Sequence, residues 1–226
     1  MSDFNGFPKE MVQFFKQLKE NNTKEWFDTY KKDYEEYVQK PARQFIVAMG
    51  EKLQTISPSI NAIPKINKSL FKLHRDIRFS KDKRPYKTHL GIWFWEGERK
   101  RMDCSGFYFH VENKMLMLGA GIHMFSNELL KLYRDAVVDE KHALKLRKAV
   151  EDVSKSGYII HGMHYKKVPR GYDSSHKNVE FLLYNGLTAM VQSEIPEEFY
   201  SGAIIEYSYS HFKNMHPLHD WLRRSL

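Results

Sequence analysis

Hydrophobic residues in the first quarter of the chain recur every three or four positions, which is the spacing of a buried helical face. Pro8 suits the first turn of a helix, and we predict that a helix behind it buries Met11, Phe14, Phe15 and Leu18. Two more helices follow, one capped by Thr23 or by the pair Asn22 and Glu25, the other starting at Pro41. Their inward positions are Trp26, Phe27, Tyr30, Tyr34, Tyr37 and Val38, then Phe45, Ile46, Met49, Leu53 and Ile56.

After residue 69 the pattern changes to short runs rich in β-branched and aromatic residues, which indicate strands. We predict strands at residues 70–73, 90–95, 106–111, 115–124, 158–160 and 187–193, with Glu112-Asn113-Lys114 as a hairpin turn. Helices are predicted at 126–138 and 139–156, before Asn185-Gly186, and at the C-terminus through Trp221. Because helices and strands are segregated, we predict an α+β fold. In it, N-terminal helices pack on a mainly antiparallel sheet, further helices follow, and residues 1–226 form a single domain.

Composition places the chain among globular proteins, with 42% hydrophobic and 14% aromatic residues in 226. The start, Met1-Ser2-Asp3, lacks the basic residues and apolar run of an export signal, and no apolar run is long enough to cross a bilayer. Cys104 is the only cysteine, which suits a reducing compartment. We therefore expect a cytoplasmic protein without a membrane partner.

Positive charge is concentrated in one segment. The chain carries a net charge of +8, and residues 65–89 alone hold nine basic side chains against two aspartates, a net +7. Residues 161–177 hold a smaller excess of +3, so the remainder is slightly acidic. Regional basicity favours an anionic partner over a general role of charge in solubility.

The segment from Arg75 to His89, called the basic loop below, is predicted to leave a strand and pass through Pro85. Guanidinium forks and ammonium groups on such a loop can surround phosphate or carboxylate. The candidate binding residues are Arg75, Arg78, Lys81, Lys83 and Lys87. Arg78 can pair with Asp76 and still direct an N–H edge at a ligand, and His89 is the candidate general acid or base. In the alternative interpretation Asp76 and Asp82 pair with the arginines and fix the loop, while the lysines are only solvated.

Pro169-Arg170-Gly171-Tyr172 predicts a rigid turn that presents Arg170 and Tyr172 at a defined place. We expect these two residues to lie beside the basic loop and to share its anion. The alternative is a structural turn with a stacked tyrosine.

Three segments carry a family resemblance: Lys24-Glu25-Trp26-Phe27, the string from Arg75-Asp76 through Phe79-Ser80-Lys81-Asp82-Lys83 to Pro85-Tyr86-Lys87-Thr88-His89, and Pro169-Arg170-Gly171-Tyr172-Asp173 with His176. In these segments the chain resembles an uncharacterised conserved bacterial family that is classed only as a domain of unknown function. The resemblance implies that the three segments belong together, and it implies no activity.

Metal and cofactor chemistry find little support in the spacing of residues. On a strand, positions three apart point to opposite faces, so His161-x-x-His164 would have poor geometry there, and neither this pair nor His216-x-x-His219 lies in a zinc-protease motif. Asp103 with Glu112-x-Lys114 has the residue types of a metal-dependent nuclease, but a hairpin turn explains the latter pair. No nucleotide-binding or nucleophile-elbow motif occurs. We expect no metal and no cofactor.

Three hypotheses about function remain open. The first is a site for a small phosphorylated or carboxylated ligand at the basic loop, with or without catalysis. The second is a nucleic-acid-binding module in which Trp93, Trp95, Tyr86 or Tyr172 stack on bases. The third is a structural or interaction protein without chemistry.

Overall fold

The computed structural model describes residues 4–226. Its helices are α1 Lys9–Glu20, α2 Lys24–Thr29, α3 Lys31–Asp33, a π-helical segment Tyr34–Gln39, α4 Lys40–Leu53, α5 Asn127–Val138, α6 Glu140–Lys155 and α7 Ile204–Ser225. Its strands are β1 Ile60–Asn61, β2 His89–Glu96, β3 Gly106–Glu112, β4 Met115–Ile122, β5 Ile159–Met163 and β6 Tyr184–Glu194. Within the described residues, none of the helices has the length and apolar character needed to span a membrane.

Several helices begin at the capping residues that the sequence predicts. The Thr23 hydroxyl accepts a hydrogen bond from the Trp26 amide at 3.3 Å, which selects Thr23 over Asn22 as the cap of α2. Ser126 and Asp139 cap α5 and α6 in the same way. Each cap satisfies a backbone N–H that has no partner within its own helix. Gly157, with φ +88°, follows α6 in the left-handed conformation that the predicted helix end requires.

The strands form one six-stranded sheet in the order β1-β2-β3-β4-β6-β5, so β2, β3 and β4 make an antiparallel meander. The last pair, β5 and β6, is also antiparallel, with Ile159 opposite Met190. Helices precede the sheet and follow it in the chain. The predicted α+β class with a mainly antiparallel sheet is therefore confirmed.

The predicted strand at residues 70–73 is wrong as a regular element. Among the described residues this segment has one isolated bridge to a strand, Leu70 with Ile92 of β2, while His74 bridges to Tyr86 in the loop before β2. The Phe71 amide does donate to the Gly91 carbonyl at 3.1 Å, so the chain runs extended beside β2 and then leaves it. A short strand that the pattern did not indicate, β1, forms the edge of the sheet instead.

The chain folds into two compact units, each of which gathers segments that are distant in sequence. Unit 1 holds the chain up to Phe94, Tyr108–Met117 and Gln192–Ser210, and unit 2 holds Trp95–Phe107, Leu118–Val191 and His211–Leu226. The assignment of residues 1–226 to a single domain stays a prediction.

Phe45 of α4 is the centre of an aromatic cluster in unit 1. Its ring centroid lies 4.5 Å from that of Phe109 in β3 and 5.2 Å from that of Phe7. Phe4 and Phe94 complete the cluster at 5.4 and 6.3 Å. Through these contacts α4 packs on β2 and β3 with the apolar face that the periodicity of apolar residues predicts.

Unit 2 has a core of its own, in which polar groups are buried with partners. The hydroxyl of Tyr133 in α5 donates to the Phe181 carbonyl at 3.0 Å, and its ring stacks on Phe125. The side-chain amide of the buried Asn178 donates to the carbonyls of Val137 and Ala143. These bonds connect α5, α6 and the irregular segment after β5, since a buried donor without an acceptor is costly.

We expect Phe45→Ala to lower the free energy of unfolding by about 3–5 kcal/mol, because it opens a cavity among four aromatic rings. Val47→Ala on the same helix is the control, since Val47 is 40% exposed and its truncation leaves the core intact. Urea denaturation followed by circular dichroism measures both. A similar small effect for the two variants would contradict the central role of Phe45.

Candidate functional site

The basic loop is held together by ion pairs between its own residues. Arg78 binds Asp76 through two side-chain hydrogen bonds of 3.0 and 2.7 Å, and the Arg78 amide adds a third at 3.3 Å. The pair that the sequence predicts is thus present. The Arg78 side chain remains 77% exposed, so its other N–H groups face solvent.

Asp82 is the acceptor for two other arginines of the loop. Arg84 binds it bidentately, with its shortest contact at 2.7 Å, and Arg75 Nη1 approaches within 2.8 Å. Arg75 Nη1 also donates to the Arg84 carbonyl at 3.0 Å. Arg84 and Arg75 hold the pKa of Asp82 well below its usual range, so these pairs persist at mildly acidic pH and are lost only when Asp82 is protonated.

The lysines of the basic loop differ in their surroundings. Lys83 Nζ donates to the Ile77 carbonyl at 3.0 Å, and Lys87 Nζ lies 5.4 Å from the centre of the Phe71 ring. Lys81 is exposed. The loop thus contains the aspartate–arginine pairs that the alternative interpretation predicts. Binding of an anion by the loop stays a prediction.

Most of the aromatic residues considered as partners for nucleic-acid bases are buried, whereas one phenylalanine of the basic loop is exposed. Trp93, Trp95 and Tyr86, three of the four stacking residues considered for nucleic acid, lie in the core. Phe79, at the turn between Arg78 and Lys81, is 95% exposed. Exposure of an apolar ring to water is unfavourable, so Phe79 is a candidate for contact with a ligand of the basic loop. The hydrophobic pattern of the sequence does not distinguish it from the phenylalanines of the core.

His89, at the start of β2, lies against two residues at the end of β3. Its ring centroid is 4.5 Å from that of His110, and His110 Nε2 lies 3.7 Å from the Glu112 carboxylate. Thr88 Oγ1 donates to Glu112 at 3.0 Å, and the Tyr108 hydroxyl lies 3.1 Å from His110 Nδ1. One ligating atom from each of His89, His110 and Glu112 falls within 4.8 Å of the other two. We call these three residues the histidine cluster.

Burial and mutual proximity favour neutral imidazoles in the histidine cluster. Burial, the His110 charge and Lys87 lower the pKa of His89 to about 4, although Glu112 opposes the shift. Burial also lowers the pKa of His110, again against Glu112. A base with such a low pKa is protonated only in acid, so His89 is better suited at neutral pH to accept a proton or a metal ion than to donate a proton.

The turn Pro169-Arg170-Gly171-Tyr172 borders a cleft of about 510 Å³ in unit 2. The opposite wall belongs to α5, and the basic lining residues are Lys131, Arg134 and Arg170. Tyr172 donates to Asp135 at 2.8 Å, and Lys131 binds the same carboxylate at 3.0 Å. We call this space the arginine cleft. Burial and Asp135 raise the pKa of Tyr172 to about 12, so its phenol stays protonated.

Arg134 has the least satisfied polar group of the arginine cleft. Its guanidinium lies 4.8 Å from the centre of the Tyr165 ring. Its Nε is buried, and among residues 4–226 it has no hydrogen-bond partner. A buried donor without an acceptor costs roughly 1–3 kcal/mol, so an anion that accepted this hydrogen bond would be favoured.

The basic loop belongs to unit 1, whereas Arg170 and Tyr172 belong to unit 2. That the two segments share one anion stays a prediction.

The two His-x-x-His pairs are placed differently. His161 and His164 are exposed at β5, as the sequence places them. His219, in α7, is buried, with its ring nitrogens 2.9 Å from Ser105 Oγ and 3.1 Å from Glu96. Ser105, His219 and Glu96 have the residue types of a hydrolase triad, but all three are buried, so a substrate has no access to Ser105.

Cys104 and the nuclease-like residues have structural explanations. Cys104 is buried, and burial raises the pKa of its thiol, the opposite of what a nucleophile needs. Lys114 is in the hairpin turn with Asn113, as predicted, while Glu112 is the last residue of β3. Asp103 belongs to unit 2, whereas Glu112 and Lys114 belong to unit 1.

Arg134 and the partners of His89 were missed by sequence reasoning. His110 and Glu112 are two positions apart on a strand, which places them on one face, and this His-x-Glu spacing is a signal that the sequence does carry. Arg134 lies on a helix surface among other charged residues, where no local pattern shows that its Nε is buried.

The chain belongs to the family described as conserved hypothetical protein (DUF2461), whose model matches residues 10–221. The match includes all three segments on which the resemblance rested, and the expectation of an uncharacterised family is confirmed. No curated protein and no solved structure matches the chain.

We expect Asp82→Asn to loosen the basic loop, because Arg75 and Arg84 lose their common anionic partner. Limited trypsin digestion of the native protein should then cut after Lys81 and Lys83 several-fold faster than in the wild type. Asp76→Asn is the matched comparison and should have a smaller effect, since it releases only the exposed Arg78. Equal cleavage rates in all three proteins would show that the ion pairs do not order the loop.

Proposed function

We propose that this protein binds a small phosphorylated or carboxylated molecule, and that the arginine cleft is the site. The observation that carries the proposal is the buried Nε of Arg134, which lacks a hydrogen-bond partner among the described residues and lies in the wall of the cleft. A planar guanidinium presents paired N–H groups that match the oxygens of phosphate and carboxylate.

Charge around the cleft supports an anionic ligand. Three cationic side chains line it, and only Asp135 opposes them. Asp135 already accepts hydrogen bonds from Lys131 and Tyr172, which fixes both groups at the cleft. Arg170 extends from a turn whose glycine has φ +90°, a conformation that few other residues adopt. The turn thereby presents Arg170 on the side of the cleft opposite α5.

The basic loop is a weaker candidate for the anion site than the arginine cleft, although it carries more positive charge. Arg75, Arg78 and Arg84 each have a carboxylate partner at 2.7–2.8 Å, and an anion would have to compete with it. An arginine that is already paired gains less from a second anion than one whose donor is unsatisfied.

The test is the rise in melting temperature that inorganic phosphate produces at constant ionic strength, since a ligand of the native state stabilises it by mass action. We expect Arg134→Gln and Arg170→Gln each to weaken phosphate binding by about 1–3 kcal/mol, the range for a charge-assisted hydrogen bond. Their phosphate-dependent shift should be correspondingly smaller than that of the wild type.

Arg78→Lys is the variant that separates the two locations, because it retains the charge of the basic loop and removes the guanidinium fork. An unchanged phosphate shift in Arg78→Lys, together with smaller shifts in Arg134→Gln and Arg170→Gln, assigns the anion to the cleft. A shift lost in Arg78→Lys and retained in Arg134→Gln and Arg170→Gln would assign it to the basic loop and refute the cleft. Equal shifts in all four proteins would exclude both sites.

A second candidate function, binding of single-stranded nucleic acid, has one observation in its favour. Phe79 is 95% exposed on a loop that also presents Arg78, Lys81 and Lys83. Exposed aromatic rings stack on bases while nearby cations contact phosphates, which is how proteins bind single strands without sequence preference. The burial of Trp93, Trp95 and Tyr86 leaves this hypothesis dependent on Phe79 and Tyr172.

Oligonucleotide titration by fluorescence anisotropy tests the second function. A binder that neutralises about six phosphates should lose on the order of a thousandfold in affinity between 50 and 200 mM salt. Phe79→Ala should weaken binding by about 1–3 kcal/mol if the ring stacks on a base. Absence of binding at 50 mM salt, or an unchanged affinity of Phe79→Ala, would rule out this function for the loop.

A further inference from the structure

The histidine cluster has the composition of a metal site. We propose that His89, His110 and Glu112 bind one divalent transition-metal ion through two imidazole nitrogens and one carboxylate oxygen. The His-x-x-His pairs and the nuclease-like residues considered from the sequence do not contain this combination. The site lies wholly in unit 1 and does not depend on the arginine cleft, which lies in unit 2.

Distances within the cluster suit a single ion. The candidate ligating atoms all lie within 4.8 Å of one another, and His110 Nε2 is 3.7 Å from Glu112 Oε2. An ion held at about 2.0–2.2 Å from nitrogen and oxygen ligands in tetrahedral geometry sets them roughly 3–3.5 Å apart. Closing the cluster around an ion therefore requires side-chain movements of about 1 Å, without a change in strand pairing.

Neighbouring side chains orient two of the three ligands. The Tyr108 hydroxyl lies 3.1 Å from His110 Nδ1, and an N–H at that nitrogen leaves Nε2 with the lone pair that faces Glu112. Thr88 Oγ1 donates to Glu112 Oε1 at 3.0 Å, which leaves Oε2 for the ion. Metal sites in proteins use such hydrogen bonds to fix the tautomer of a histidine and the orientation of a carboxylate.

A purely structural network accounts for the cluster less completely. Tyr108, His110 and Glu112 contact one another, and such a network has no need of His89. Among residues 4–226, the imidazole of His89 makes ring contact with His110 but no hydrogen bond. One ring nitrogen of His89 nevertheless lies within 4.8 Å of ligating atoms of His110 and Glu112, and a metal ion would connect the three.

The donor set restricts the metal. Two imidazoles and one carboxylate suit Zn²⁺, Fe²⁺ or Co²⁺, whereas Ca²⁺ and Mg²⁺ prefer oxygen ligands alone. Three protein ligands also leave a coordination position for water or a substrate. Glu112 and Thr88 line a cleft of about 450 Å³ that Lys16, Lys19, Arg84 and Glu20 border as well. The three cations of this lining outnumber its two carboxylates, so a ligand that reached the ion through the cleft would meet a net positive charge, which favours an anion.

The experiment uses the full chain after treatment with a chelator, titrated with Zn²⁺ by calorimetry and with Co²⁺ by visible absorption. We expect one ion per chain and the absorption of four- or five-coordinate Co²⁺. His89→Gln and Glu112→Gln should each weaken Zn²⁺ binding by at least about tenfold, because each removes a ligand. The matched control is the double variant His161→Gln, His164→Gln, which removes an exposed histidine of β5 and the exposed histidine that follows the strand, and which should retain the wild-type affinity.

Two results would overturn the proposal: failure of the wild type to bind one Zn²⁺ per chain, or an equal loss of affinity in the His161, His164 control. Circular dichroism checks that the ligand variants are folded. Should either variant unfold, Thr88→Val decides, since it keeps all three ligands and removes only the hydrogen bond that orients Glu112. We expect it to weaken Zn²⁺ binding by about tenfold, and an unchanged affinity would contradict the site.

Discussion

The alternation of side chains along β3 is the constraint on which the first unit and its chemistry depend. Successive residues of a strand point to opposite faces, so Phe109 and Val111 face one side while Tyr108, His110 and Glu112 face the other. Phe109 packs on Phe45 and Phe7 and attaches the helices to the meander. The same strand thereby directs His110 and Glu112 of the histidine cluster to the face opposite the aromatic cluster, beside the start of β2.

The aromatic face also explains why a polar cluster can persist there. Phe45, Phe94 and Phe109 bury a large apolar area, and each buried aromatic side chain contributes on the order of 1.5–3 kcal/mol. That stabilisation fixes the register of β2 and β3, because a slip of one residue would turn the phenylalanines to the opposite face of the sheet and break their ring contacts with Phe45. His89, His110 and Glu112 are therefore held near one another by packing on the opposite side of the sheet.

Much of the positive charge of the basic loop is paired with aspartates of the same loop, which the net charge of the segment does not show. Asp76 and Asp82 are two positions before Arg78 and Arg84, and in each case the arginine turns back to bind the carboxylate. The most basic segment thus satisfies much of its own charge. Arg134 stands in a less basic region, yet its Nε is buried without a partner among the described residues. Whether an arginine N–H is free to bind an anion depends on the acceptors around it in the folded protein, and the net charge of a segment does not reveal this.

The sequence by itself determined most of the helices and strands, although not β1. Periodic apolar residues and capping residues located α1, α4, α5 and α6 nearly to the residue, because these signals are local and act within one turn of helix. The meander and its hairpin turn followed from β-rich runs around Asn113, which adopts a positive φ of 54°. The self-pairing of the basic loop was also foreseeable, since each aspartate lies two residues from its arginine.

Tertiary structure decided which residues meet. Leu70 bridges to β2 without forming a regular strand, because pairing there is limited to single residues before the chain leaves the sheet. His89 meets His110 across two strands, and Arg134 meets Tyr165 across thirty positions of sequence. Phe79 is exposed whereas the core phenylalanines are buried, and the residue type alone does not distinguish them. Such contacts depend on how strands and helices pack over long separations, and no periodicity within a short segment records them.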